Sequence, residues 1–104
     1  MYLVVFRNRK RTGIDAAAYD RQAARMEELA SQQRGYLSFK SYEAADGEVV
    51  AISEWRDEAS ARSWGRQAEH LVMQARGQRE WYADYTLYAC DNPHTRRFVA
   101  RDQN

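Results

Sequence analysis

A chain of 104 residues has room for one compact domain, and with 44% apolar and 12% aromatic residues it has the material for a core, though no apolar run approaches the roughly 20 residues of a membrane span. Sixteen basic against 15 acidic residues leave a formal net charge of +1, without the basic excess of a nucleic-acid-binding protein. The apolar start precedes its charges, the reverse of a secretory leader, and Cys90 has no second cysteine to pair with, so the expectation is a cytoplasmic protein with neither nucleic-acid nor membrane partners.

"YLVVFRN" (2–8) is rich in β-branched and aromatic residues and reads as a strand. The dense basic run "RNRKR" overlaps its end, either a solvated strand terminus or an anion site. Asp15 is a good N-cap, and Ile14 and Tyr19 have the spacing of a hydrophobic staple. Apolar recurrence then predicts a helix over 15–34, stopped by Gly35. "YLSFKSYE" (36–43) and "VVAISEW" (49–55) read as strands joined by an Asp46-Gly47 hairpin turn. Asp57 caps a second helix that is expected to run to about Arg76 and stop at Gly77, and "WYADYTLYAC" (81–90) is the fourth strand. The order βαββαβ predicts a ferredoxin-like α+β fold, an antiparallel four-stranded sheet with both helices on one face. The domain spans 1–92, and 93–104 form a tail in which Phe98 and Val99 are the residues able to dock.

Three of the four strands are apolar on both sides. Tyr2, Val4 and Phe6 oppose Leu3 and Val5; Val49 and Ala51 oppose Val50 and Ile52; Trp81, Tyr85 and Leu87 oppose Tyr82 and Tyr88. Two helices cover one face only, so the other calls for a second copy packed sheet to sheet. On a helical wheel Ala61, Ala68, Leu71, Val72 and Ala75 form a seam around Trp64. Gln67 and Gln74 lie on one flank, with His70 about 120° from Trp64 on the same side. Trp64 is then either a core anchor or the wall of a pocket left by the small alanines, and His70 either a surface histidine or a polar group at its mouth. Asn8, on the strand face of Val4 and Phe6, either meets a ligand or bonds its own turn. His70 and His94 stand alone without metal-ligand spacing, and Cys90 reads as a small buried side chain. "EVVAISEW" lacks the exposed aromatics and glycines of an RNA-recognition domain.

"VVFRNRKR", "ISEWRDEASARSWGRQAEHLVMQARGQREWYADYTLYAC" and "RRF" together resemble the antibiotic biosynthesis monooxygenase superfamily, the dimeric α+β barrels that include small haem-degrading monooxygenases. The resemblance implies a homodimer with one cavity per subunit between helices and sheet. In quinone-forming members, molecular oxygen oxidises a bound aromatic without flavin or metal. The implied activity is a cofactor-independent monooxygenase acting on a small aromatic or polyketide-like molecule. Asn8, Trp64 and His70 are its catalytic candidates, and Phe6, Gln67, Gln74, Trp81 and Tyr85 line the ligand. Asn8 and Trp64 match positions used by the haem degraders. Their haem-ligating histidine, ten residues beyond the tryptophan, is here Gln74, which disfavours haem; His70 would serve only through a helix irregularity. The alternatives are a divergent haem protein or a non-catalytic ligand-binding or stress-associated dimer.

Overall fold

Alternation of β-branched and aromatic residues makes β1 (Tyr2–Lys10) the central strand of the computed structural model, which describes residues 1–101. It is followed by α1 (Ala16–Ser31), β2 (Tyr36–Glu43), β3 (Val49–Trp55), α2 (Glu58–Gly65), α3 (Ala68–Arg76), a π-helical turn (Gly77–Trp81) and β4 (Tyr82–Asp91). The strands form one antiparallel sheet in the order β2-β3-β1-β4. This is the expected ferredoxin-like α+β architecture, with three helices where two were expected. No helix among the described residues is long and apolar enough to cross a membrane.

The capping residues act as their chemistry dictates. Asp15 accepts the amide of Ala18 and Asp57 that of Ser60, at 3.0 and 2.9 Å, each satisfying a donor of a helix's first turn. Gly35 follows α1 in the left-handed region with φ +85°, and its carbonyl accepts the amide of Arg56 at 2.7 Å. That bond ties the start of β2 to the end of β3.

The second helix departs from expectation. A continuous wheel breaks at Gly65–Gln67: the amide of Arg66 closes α2 on the Arg62 carbonyl at 3.1 Å, and Gln67 turns to ψ 131°. Its side-chain oxygen then accepts the amide of His70 at 2.8 Å and starts α3 afresh. The new phase leaves Leu71 and Val72, expected on the Trp64 seam, 47% and 60% exposed. Gly77 does not stop the helix either. The chain continues with helical φ into a π turn, closed by the amide of Tyr82 on the Gly77 carbonyl, and Trp81 ends that turn rather than starting β4. A glycine is needed there because a Cβ would lie 2.5 Å from the Tyr82 ring.

A second irregularity changes a face. The register between β1 and β4 shifts at Arg9/Lys10, pairing Arg9 with Asp84 but Lys10 with Tyr82. Such a bulge places two residues opposite one. It brings Tyr82 onto the same face as Tyr85, with ring centroids 5.9 Å apart, where simple alternation put them on opposite faces.

The helices cover the face of Tyr2, Val4, Phe6 and Asn8: Trp55, beside Tyr2, stacks on Trp64 of α2, and Tyr82, beside Lys10, meets Tyr19 of α1. Leu3, Val5, Val50 and Ile52 point the other way and are only partly buried, and Tyr42 and Tyr88 on that face are 51% and 52% exposed. Leu29, Ala30, Trp55 and Trp81 are the buried apolar residues among those described. The radius of gyration of 15.1 Å exceeds the roughly 13 Å of a compact chain this long. Residues 93–100 form no helix or strand, and Phe98 is 87% exposed, so the tail does not dock on its own chain. Cys90, expected to be buried, is exposed on β4.

Two glycines separate backbone strain from crowding. Gly47, at φ +91°, has open space where a Cβ would stand, whereas a Cβ on Gly35 would lie 2.0 and 2.5 Å from Ser60 Oγ and Cβ. Gly47→Ala is expected to cost about 1–2 kcal/mol. Gly35→Ala should cost about 2–5 kcal/mol, strain and overpacking together, and denaturant melts of the two variants measure the difference.

Candidate functional site

Above the lower half of the sheet lies an aromatic stack. Trp55 is almost wholly buried, and its indole nitrogen donates to Ser53 Oγ at 3.1 Å. Trp64, partly buried, lies 6.3 Å from it at 24°, and His70 lies on Trp64 at 4.2 Å and 16°. The helix break produces this contact, because an unbroken helix would hold the two rings about 120° apart. His70 Nδ1 is 3.0 Å from the Trp64 carbonyl. A carbonyl only accepts, so the neutral ring carries its proton on Nδ1 and keeps the Nε2 lone pair, which has no partner among the described residues. Burial pushes the imidazole pKa below its ordinary value, against the opposing effect of the bond to Trp64.

A second cluster occupies the other end of β1. Asn8 is 2% exposed and faces Val49 and Tyr85 in the flanking strands. Lys10, two residues on and on the same face, donates from Nζ to Asn8 Oδ1. Its ammonium stands 4.6 Å from the Tyr19 ring centre and 5.3 Å from that of Tyr82. Phe6 meets Tyr82 edge-on at 5.4 Å and Tyr85 at 5.2 Å. Tyr85, 42% exposed, accepts a hydrogen bond from Gln78 Nε2 at 2.7 Å. Burial, and then the neighbouring Tyr19, holds the Tyr82 phenol well above the usual tyrosine range, so it stays neutral.

The expected site residues thus fall into two groups. Phe6, Asn8 and Tyr85 form one with Lys10 and Tyr82; Trp64 and His70 form the other with Trp55, and Gln67 holds His70 through its amide. No hydrogen bond or ring contact joins Asn8 to Trp64 among the described residues. Gln74 is exposed. Trp81 is buried against Tyr19 at 5.1 Å, with the Arg76 guanidinium 4.9 Å above its ring, and serves packing. Two shallow depressions of about 250 and 230 Å³ lie beside the first turns of α2, around Arg62 and Arg56, and neither is lined by a candidate residue. The sequence reading missed Lys10, Tyr82 and Gln78. Lys10 had a signal, its position two residues beyond Asn8 on one strand face; Tyr82 was hidden by the bulge.

The basic run is tied down rather than free. Arg7 pairs with Glu48 and Arg9 with Asp46 of the β2–β3 hairpin at 3.0 and 2.8 Å, and Arg11 donates to the carbonyls of Tyr82 and Gln78. Gln74 is no haem ligand, while the break between α2 and α3 supplies the helix irregularity that the His70 alternative requires and leaves Nε2 without a partner among the described residues. No group of three or more metal-ligating side chains occurs among the described residues.

A four-stranded antiparallel sheet in the order β2-β3-β1-β4 with helices over one face defines a ferredoxin-like α+β protein. The antibiotic biosynthesis monooxygenase family signature matches residues 1–76, and the chain belongs to that family. It is 30% identical over 86 residues to the uncharacterized protein YqjZ of Bacillus subtilis, covering 83% of this chain and 74% of that one. Among solved structures, Rv0793 from Mycobacterium tuberculosis superposes with a TM-score of 0.77 at 19% identity, over 90% of this chain and 96% of the other. SnoaB, a cofactor-independent oxygenase from Streptomyces nogalater, superposes with a TM-score of 0.72 at 18% identity, over 98% and 94%.

Because the folded chain disfavours the imidazolium, His70 contributes stability that is present above its ordinary pKa of 6.5 and is lost as the pH falls through the lower folded value. Between about pH 7.5 and about pH 5.5 the wild-type melting temperature should fall further than that of His70→Phe, which keeps a ring on Trp64 but does not titrate. Equal falls would show that His70 is not the group responsible.

Proposed function

We propose that the protein is a cofactor-independent monooxygenase acting on a flat hydroxyaromatic or polyketide-like molecule. The observation that carries this is the Asn8 cluster, a buried amide at the end of β1 beside a partly open wall of Phe6, Tyr82 and Tyr85. Family membership and the likeness to a cofactor-independent oxygenase support it. The substrate supplies its own electrons. A phenol with a free ring position plus dioxygen gives a quinone plus water, one oxygen atom entering the ring and the other leaving as water. What a protein contributes to such a reaction is a water-poor chamber and donors for the electron-rich anion. Asn8 is the donor in this reading. His70 lies in the stack beside Tyr2 at the other end of β1, so the hydroxyl proton is lost to solvent.

A second copy covers the helix-free face of the sheet. Leu3, Val5, Val50 and Ile52 lie on the helix-free face, and joining two such faces gives this thinly cored chain the burial it lacks. Sedimentation at micromolar concentration should give a dimer of twice 12.2 kDa; a clean monomer would remove this part of the reading.

One observation favours a non-catalytic, ligand-binding alternative. Trp64 already carries two near-parallel ring neighbours, Trp55 at 6.3 Å and His70 at 4.2 Å, which take up ring surface a ligand would use. Oxygen consumption with a hydroxyanthrone separates the two. The expected result is uptake above autoxidation, one dioxygen per quinone formed, with Asn8→Ala lowering the rate by about tenfold to a hundredfold and shifting the melting temperature little. Uptake no faster than without protein would favour the binding role, and a lowered melting temperature with unchanged turnover would make Asn8 a structural residue.

A further inference from the structure

The end of β1 near Asn8 holds a cation without a counter-ion among the described residues. Lys10 pairs with no carboxylate among the described residues, while the other lysine, Lys40, stands apart over Tyr42 on the helix-free face. Its half-buried ammonium is held by two phenol rings and by Asn8 Oδ1. An ammonium can only donate, so the Asn8 atom facing it is the carbonyl oxygen, and the amide nitrogen is turned away. Asn8 Nδ2 makes no hydrogen bond among the described residues, yet no buried side-chain nitrogen or oxygen among them lacks a partner. Nδ2 is therefore not wholly enclosed, although Asn8 as a residue is 2% exposed, and it carries N–H donors polarised by the charge on the other side of the amide. On the same sheet face Phe6, Tyr82 and Tyr85 form a mutually contacting cluster of rings.

We propose that Lys10 is the counter-charge for an ionised hydroxyl of a flat aromatic ligand, and that Asn8 donates its amide N–H to that same oxygen. The ligand class follows from the donors and walls: a singly charged oxygen on a planar ring. A neutral aromatic would leave the ammonium unanswered, and a small inorganic anion would leave the three rings unused. The anion forms by loss of the hydroxyl proton to solvent. The neutral Tyr82 phenol beside Lys10 does not compete as an internal anion. This rests on the reading of the Asn8 cluster as an aromatic-binding site and deepens it by naming the charge state.

The test uses 4-nitrophenol, whose ionisation is visible by absorbance, with neutral 4-nitroanisole in parallel. In the wild-type protein the bound nitrophenol should ionise about one unit lower than in free solution, equivalent to about tenfold preference for the anion. Lys10→Met should abolish that shift and weaken nitrophenolate binding about tenfold, with nitroanisole affinity retained, and Lys10→Arg should keep most of the shift. Melting curves check that both variants fold, and the Arg variant carries the test if the Met variant does not. A shift that persists in Lys10→Met overturns the role of Lys10. Nitroanisole bound without preference for nitrophenolate overturns the counter-charge while leaving the aromatic-binding site in place. Binding of neither probe by the wild type overturns both.

Discussion

A sheet that is apolar on both faces, in a chain with helix enough for one, is the constraint from which the rest of this structure follows. The covered face gains Trp55 and the ring pairs above it, and the open face keeps Leu3, Val5, Val50 and Ile52 only partly buried. Even the covered face is thinly roofed, since Leu87 on it is 55% exposed. The hydrophobic effect scales with area removed from water, so a fold with four fully buried apolar residues among those described has a shortfall that a partner copy would meet.

Much of this was legible. The strands, the first helix, the aspartate caps and the hairpin at Gly47 all follow from local chemistry: β-branched alternation, carboxylates before helices, and a glycine where φ is positive. Two non-local features were not. The second helix carries no conventional break signal beyond Gly65, and its restart depends on Gln67, a side chain seldom chosen as an N-cap. The wheel therefore placed Leu71 and Val72 inward and separated Trp64 from His70, and both consequences reversed. The bulge at Arg9/Lys10 likewise has no sequence mark, yet it decides that Tyr82 faces the helix-covered side. Of the candidate residues, Asn8, Phe6 and Tyr85 were placed on the correct face by strand alternation alone. Lys10 was passed over because the basic run was taken as a single block.

That run shows how one strand end serves several purposes. Period-two alternation sends Arg7 and Arg9 to one side, where they fasten the β2–β3 hairpin, and Lys10 to the other, where it orders Asn8. Arg11, beyond the strand, binds the carbonyls that the π turn exposes. Four charges within five residues thus hold together a hairpin, a buried amide and the entry to β4.

The near-parallel indoles of Trp55 and Trp64, 6.3 Å apart, have an optical consequence. Chromophores this close share their excitation, and coupled indoles produce a pair of circular-dichroism bands of opposite sign in the region where helix content is read. The spectrum of this chain is therefore not a simple measure of its helices.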